Sequence, residues 1–499
     1  TYGEDPYLTG ELGLAFVRGL QGPDPDRPNV IATPKHFAVH SGPESTRHSA
    51  NVDVSAHDLE DTYLPAFRRA IVDGRAGSIM CAYNAVNGEP ACVSDYLLNQ
   101  KLRGDWGFKG YMVSDCGAVE DLYEPRKYAA SPSAAAGVAV KAGMDNECSI
   151  AGVLGLPSAN QKYADSVANG EVAEADIDRA LVRVFAARYR VGDLGPFNGR
   201  KGARGEAAWL ASPEHTALAQ KSAEKSIVLL KNDGVLPLKR GKSTIAVIGP
   251  LADATRVLRG NYSSGRSPEP VSVVEGLKRA FPDAEIINVP AGAFVGDGDV
   301  VPSSALLTPD GRPGLLAEYF AQDPGPKPET LADLAKHALN AKFSATPTVT
   351  RVEAGVDTWP QTRVAGLPQD FQAVWSGFLV APETGVYRLG LKGSVGNLIF
   401  DGQPLAKVLS FPAGLGEMKT VRLEKGRRYP IKVVSRTIGS LDVRLVWKQI
   451  SETPEADMQE AAAKADVVVA VVGLTADLEG EEMKVDIPGF AGGDRTSLD

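Results

Sequence analysis

Asp115 is the residue best placed for chemistry. It follows the apolar run Tyr111-Met112-Val113 and Ser114 and precedes Cys116-Gly117, so it stands where a buried strand opens onto a loop. A carboxylate there is desolvated on one side and reachable on the other, which suits a nucleophile or a general base. A structural Asp capping the next helix fits the same pattern. Lys35-His36 closes another predicted strand. Beside a carboxylate, such a pair can donate hydrogen bonds to a hydroxyl-rich ligand and keep the carboxylate ionised; a purely structural pair is the alternative. Glu479-Gly480-Glu481-Glu482 follows the apolar run Val467 to Val472. It reads either as a solvated acidic loop or as a mobile loop that brings a protonated Glu to a shared site, because neighbouring carboxylates raise one another's pKa.

Other chemistries fit less well. His36, His40, His48 and His57 cluster in the chain, but no HExxH or Cys/His spacing accompanies them, and no metal is expected. Arg240-Gly241-Lys242-Ser243 ends like a phosphate-binding loop, yet Leu236 stands where that motif needs its first Gly. The 53 basic and 62 acidic residues leave a formal charge of −9, which disfavours a nucleic-acid partner. No apolar run approaches the roughly 20 residues of a membrane helix, so no membrane partner is expected. Four Cys are too few for a disulfide scaffold. Cys81 and Cys92 flank a turn-rich stretch that could bring them together, and buried free thiols are an equal reading.

The elements that must position these groups alternate. Val30-Ile31-Ala32 leading into Pro34 to Phe37, Gly77 to Asn84 and Tyr111 to Asp115 read as strands, and Asp58 to Val72 has helical periodicity with Leu59, Tyr63, Phe67 and Ile71 on one face. Such alternation predicts a parallel sheet with crossovers, doubly wound or a barrel, whose strand carboxyl ends carry the chemistry. A helix over about 174–189 closes this region, and a polar, Gly-rich linker is predicted over 196–214. A second α/β pattern, with Ile227-Val228-Leu229-Leu230, Thr244 to Gly249 and Ala284 to Val289 as strands, runs over 215–311. Short alternating strands over 312–449 predict an all-β sandwich, and α/β texture returns over 450–499. The β segment is therefore expected as an insertion in the second α/β domain. The fold class is α/β: a parallel-sheet domain over 1–195, doubly wound or a partial (β/α) barrel, then a second α/β domain interrupted by the β segment.

Six segments in order resemble the family 3 glycoside hydrolases, the β-glucosidase and β-xylosidase group. They are Thr1-Tyr2-Gly3-Glu4-Asp5-Pro6, Pro34-Lys35-His36-Phe37, Ser78 to Gly88, Gly110 to Asp115, Ser226 to Asn232 and Leu236-Pro237-Leu238. The resemblance implies a barrel-type first domain, an α/β sandwich second and an active site between them. It makes Asp115 the nucleophile and places Lys35, His36, Met80 and Tyr83 in the sugar subsite. Glu481 would be the acid/base, with Glu479 as runner-up; Asp494-Arg495 follows at a longer spacing than such enzymes have. The implied reaction is retaining, with the two carboxyl groups about 5–5.5 Å apart. No cofactor is implied.

The resemblance also frames the substrate, a β-linked oligosaccharide or glycoside. Residues 39–48 lack the Asp-Ser-His loop of the N-acetylglucosaminidase branch. Cys116 after the nucleophile resembles xylosidases, whereas the insertion is more familiar from glucosidases; the balance leans narrowly to a β-glucosidase, with a β-xylosidase next. A non-catalytic glycan-binding protein is the reading from another class. The insertion resembles the protective-antigen-type module through Trp375 to Leu379, Gly385-Val386-Tyr387 and Phe400-Asp401-Gly402. Ser394-Val395-Gly396-Asn397 replaces the acidic residues that hold calcium in sugar-binding relatives, so calcium is not expected. Residue 1 is Thr and the resemblance places both ends inside domains, so the chain is expected to be an internal segment of a periplasmic or secreted enzyme.

Overall fold

The computed structural model describes residues 2–153, 156–194, 212–258, 271–289, 292–294, 298–323, 329–330, 333, 341–361, 364–368, 370–437, 441–476, 478–479, 481 and 488–497. The chain divides into two compact units, Thr1–Ala207 with Lys327–His337, and Ala208–Pro326 with Ala338–Asp499. The predicted linker 196–214 lies, but for its last three residues, outside the described residues.

In the first unit, Asp5 caps helix α1 (Pro6–Gln21): its carboxylate accepts from the Tyr7 and Leu8 amides, and Pro6 presets the first turn. A helical run from Ala56 to Asp73 buries Leu59, Leu64 and Ile71, with Tyr63 and Phe67 packed beside them, as the periodicity predicts. Strands β1 (Ser78–Cys81) and β2 (Tyr111–Ser114) pair in parallel, Ser78 opposite Tyr111 and Cys81 opposite Ser114. Parallel bridges join Phe37 to Cys81 and Val113 to Asn146. Four segments thus run side by side in sequence order, a curled part of a (β/α) barrel, with His36, Cys81, Asp115 and Cys148 at or just beyond their carboxyl ends. Gly110 lets β2 begin close to its neighbour, because a Cβ there would lie 2.2 Å from the Gly77 carbonyl oxygen. Helices α2 (Glu120–Tyr123), α3 (Ser158–Ala168) and α4 (Glu174–Arg190) follow. Acidic Glu174 and Asp176 open α4 and basic Arg188 and Arg190 close it, which suits the helix dipole.

One buried charge locks this sheet. The Asp145 side chain has no exposed surface; it accepts from Arg103 at 2.8 Å, Arg183 at 2.8 Å and the Met112 amide at 2.9 Å. Burial lowers the Arg103 pKa, and the Asp145 charge opposes that shift. Asp145→Ala would leave two guanidinium groups facing a cavity, a loss of about 3–5 kcal/mol for a broken buried pair. Urea unfolding followed at Trp106 should show this as a lower midpoint with an unchanged slope.

In the second unit, α5 (Pro213–Ser226) is capped by Ser212. Ile227 to Leu230, predicted as a strand, forms none, and these residues are 64–92% exposed. A strand needs a neighbour to accept its backbone hydrogen bonds, and no described strand lies alongside. Strand β3 (Thr244–Ile248), helix α6 (Val273–Ala280) and strand β4 (Glu285–Val289) start a parallel sheet in which Thr244 faces Glu285. The β-rich part follows with β5 (Leu315–Ala321), β6 (Phe371–Val380), β7 (Gly385–Phe400), β8 (Gln403–Leu423), β9 (Arg428–Arg436) and β10 (Leu441–Ile450). β7 pairs with β10 through Val386–Gly393 and with β9 through Asn397–Phe400. One strand therefore serves both halves of a sheet that closes on a single core of Tyr319, Phe371, Trp375, Leu389, Val433 and Leu445. Asp299–Val300 and Leu306–Leu307 pair with β10 and β6, so this sheet draws on residues before 312. Helix α7 (Pro454–Lys464) and β11 (Val467–Ala470) then return to β3 in parallel, giving the order β11-β3-β4. The β-rich part is an insertion between two strands of one sheet.

Candidate active site

Asp115 follows β2 directly and is 6% exposed. Its Oδ1 accepts from the Cys116 amide at 2.8 Å, and its own amide donates to the Cys81 carbonyl at 3.2 Å. Its Oδ2 is buried and has no hydrogen-bond partner among the described residues. A buried carboxylate oxygen left bare is costly, which suits an atom that must form a bond rather than hold a loop. The alternative of a helix cap is not what the structure shows: α2 starts after Val119 and has no side-chain cap.

His36 Nε2 lies 3.1 Å from Asp115 Oδ2, out of line for a hydrogen bond, and it too has no hydrogen-bond partner among the described residues. Burial pushes the His36 pKa down to about 4; the Asp115 charge opposes this, and Lys35, His40 and Arg47 add to it. At neutral pH the ring is uncharged, so the positive charge of the Lys35-His36 pair resides on Lys35, which is exposed. This corrects the expectation that both residues keep the carboxylate ionised. Met80 sits partly buried in β1, its amide bonded to the Pro34 carbonyl at 3.1 Å. Tyr83 donates its hydroxyl to the Cys116 carbonyl at 2.7 Å, and its ring meets His48 and His40 at centroid distances of 4.6 and 5.9 Å. Tyr83 therefore supports the loop that bears Asp115.

All four cysteines are paired, Cys81 with Cys92 and Cys116 with Cys148. The first bridge fixes the loop bearing Tyr83 and the second fixes the residue after Asp115. At sequence separations of 11 and 32, each contributes about 3–4 kcal/mol in the chain-entropy picture. The sequence reading left the first pairing open and did not raise the second.

Further partners escaped the sequence reading. His48 Nδ1 meets Asp121 Oδ2 at 2.8 Å, and burial raises the Asp121 pKa against the pull of His48. Arg126 donates to the carbonyls of Ala50 at 3.2 Å and Tyr83 at 2.7 Å. Both tie the loop after His36 to the segment after Asp115. The available signal was charge on the short helix following the nucleophile loop.

A second ionic group stands behind the disulfide. Lys162 Nζ reaches Glu147 Oε1 at 2.5 Å and Glu120 Oε1 at 3.0 Å, while the Tyr163 hydroxyl donates to Glu147 Oε2. The Glu147 pKa is pushed up to about 7, first by burial and then by the Glu120 charge. A carboxyl raised in the folded state binds a proton that the unfolded state releases. Its contribution is favourable near pH 5 and is lost as pH rises to about 7, at a linkage cost of up to about 3 kcal/mol. Glu147→Gln imitates the protonated form, so its melting temperature should match the parent at pH 5 and exceed it at pH 8. A difference independent of pH would refute the raised pKa.

The second unit holds the other predicted carboxylates. The Glu479 amide donates to the Thr475 carbonyl at 3.0 Å; its side chain is exposed, and Glu481 is partly buried. Gly480 and Glu482 lie outside the described residues. Asp494–Arg495 pairs with Phe490–Ala491 as a short hairpin.

Comparison with known proteins identifies the family. The chain is 32% identical to a xylan 1,4-β-xylosidase of Xylanibacter ruminicola over an alignment 508 positions long, covering 100% of this chain and 56% of that protein. It is 43% identical over 280 residues to a probable β-D-xylosidase 7 of Arabidopsis thaliana, covering 53% of this chain and 35% of that one. The chain thus spans about half the length, or less, of these curated relatives. Among solved structures, a β-glucosidase from Kluyveromyces marxianus superposes with a TM-score of 0.70 at 23% identity, covering 96% of this chain and 55% of that chain. A family 3 exo-β-xylosidase bound to a xylobiose aziridine probe gives a TM-score of 0.53 at 32% identity, covering 59% of this chain and 37% of its own. The glycosyl hydrolase family 3 N terminal domain matches residues 1–187 and the family's C-terminal domain matches residues 227–499, so the chain belongs to glycosyl hydrolase family 3.

Proposed function

We propose that the protein acts as a retaining, exo-acting β-glycosidase that removes terminal non-reducing sugars from β-linked oligosaccharides or glycosides. The observation that carries this reading is the bare Asp115 Oδ2 beside an uncharged His36. Asp115 Oδ2 attacks the anomeric carbon as the bond to the leaving oxygen breaks, and Glu481 gives that oxygen its proton. Glu481, now a carboxylate, takes a proton from water; the water oxygen bonds to the anomeric carbon and the ester bond to Asp115 breaks. Lys35 and His36 hold sugar hydroxyls in both steps, with Met80 beside them and Tyr83 supporting the loop. The two disulfides support a periplasmic or secreted location, where such bridges persist.

Two observations favour a β-D-xylosyl residue as substrate: the xylosidase relatives and Cys116 directly after the nucleophile. A β-D-glucosyl residue is the second reading, favoured by the β-rich insertion between β4 and β11. The whole gene product should turn over an aryl β-xyloside with at least about tenfold higher kcat/KM than the matching glucoside, a difference of about 1.4 kcal/mol in transition-state binding. The reverse order would assign the glucoside. No turnover of either would favour a glycan-binding protein without catalysis.

A further inference from the structure

The loop that presents Asp115 is stitched to the segment 146–149. Ser114 donates its amide to the Asn146 carbonyl at 3.0 Å, Cys148 donates its amide to Ser114 Oγ at 3.1 Å, and Gly117 donates its amide to the Cys148 carbonyl at 2.9 Å. The Cys116–Cys148 bridge adds a covalent tie, with the Cα atoms 4.3 Å apart. The position of Asp115 therefore depends on what holds residues 147 and 149. Glu147 is held by Lys162 and Tyr163, both on α3. Ser149 donates its hydroxyl to Glu120 Oε1 at 2.8 Å, the oxygen that also accepts from Lys162 at 3.0 Å. Glu120 opens α2, on the other side of the bridge. One ammonium group thus joins the carboxylates that flank both halves of the disulfide. The Lys162 side chain is 9% exposed and that of Glu147 5%, so water does little to screen the pair.

We propose that Lys162 is a positioning residue for the nucleophile: by clamping Glu147 and Glu120 it fixes the Cys116–Cys148 bridge, and through it the attack line of Asp115. The proposal rests on Asp115 being the attacking carboxylate. Lys162 acts through Glu147 and Glu120, so its loss is expected in the chemical step. Without the ammonium group, Glu147 Oε1 and Glu120 Oε1 lose their shared donor on α3, and the segment bearing Cys148 shifts. A displacement of about 1 Å at an attacking atom lowers a rate about 100-fold.

The test uses the whole gene product and the rate at which a 2-deoxy-2-fluoroglycosyl fluoride labels the nucleophile. Lys162→Met should lower kcat and the labelling rate by about 30- to 100-fold with KM within about threefold of the parent. Lys162→Arg, which restores a cation to both carboxylates, should recover the rate to within about fivefold. Glu147→Ala removes one anchor and leaves the Lys162–Glu120 pair. It serves if Lys162→Met does not fold, and should lower kcat by about tenfold with KM little changed. A label on Asp115 that forms at the parent rate in a folded Lys162→Met, or in Glu147→Ala, would overturn the positioning role alone. A label on another residue of the parent would overturn the nucleophile reading instead.

Discussion

Turnover of an aryl β-glycoside should fall by at least about 10⁴-fold when Asp115 is replaced by Asn, the scale on which removal of a covalent nucleophile acts. The amide keeps an oxygen for the Cys116 amide hydrogen bond and nearly the same volume, so the loop is not deprived of its anchor. What disappears is the bare oxygen 3.1 Å from His36 Nε2. Because that oxygen has no hydrogen-bond partner among the described residues, its loss should leave the melting temperature within a few degrees of the parent. Steady-state kinetics and a thermal scan on the same preparation check both halves. Loss of folding together with activity would make Asp115 structural. Retained activity would remove it from the mechanism.

The second large effect concerns the proton donor. Glu481→Gln should lower kcat/KM for a glycoside with a poor leaving group by about 10²- to 10⁴-fold, the range of general acid catalysis. A dinitrophenyl glycoside departs without much protonic help, so its first step should fall far less. That contrast separates an acid from a residue that merely shapes the pocket. Glu479, two residues earlier, is exposed, and Glu479→Gln should stay within about threefold of the parent on both substrates. The opposite result would assign the acid/base to Glu479.

Much of this could be read before any coordinates. Asp115 was recognisable because three apolar residues and Ser114 lead into it, and a parallel strand delivers its last side chain to the loop end. The face of Leu59 and Ile71 and the insertion between β4 and β11 were visible as periodicity and change of texture. Ile227 to Leu230 was misread because an apolar run states burial or strand character only when a neighbour exists to receive it. His48–Asp121, Glu147–Lys162 and the Cys116–Cys148 bridge were invisible for a related reason: each joins residues from different crossovers. Charge at one position says nothing of which distant segment folds beside it. The His36 ring was misjudged because its protonation follows from burial, which a linear pattern does not report.

The most direct measurement is to trap the covalent intermediate. The whole gene product is incubated with a 2-deoxy-2-fluoro-β-xylosyl or glucosyl fluoride, digested, and the labelled peptide sequenced by mass spectrometry. One glycosyl group per chain, esterified to Asp115, is the expected result. A label on any other carboxylate, or full turnover with inversion and no label, would contradict the assignment of Asp115 as the nucleophile.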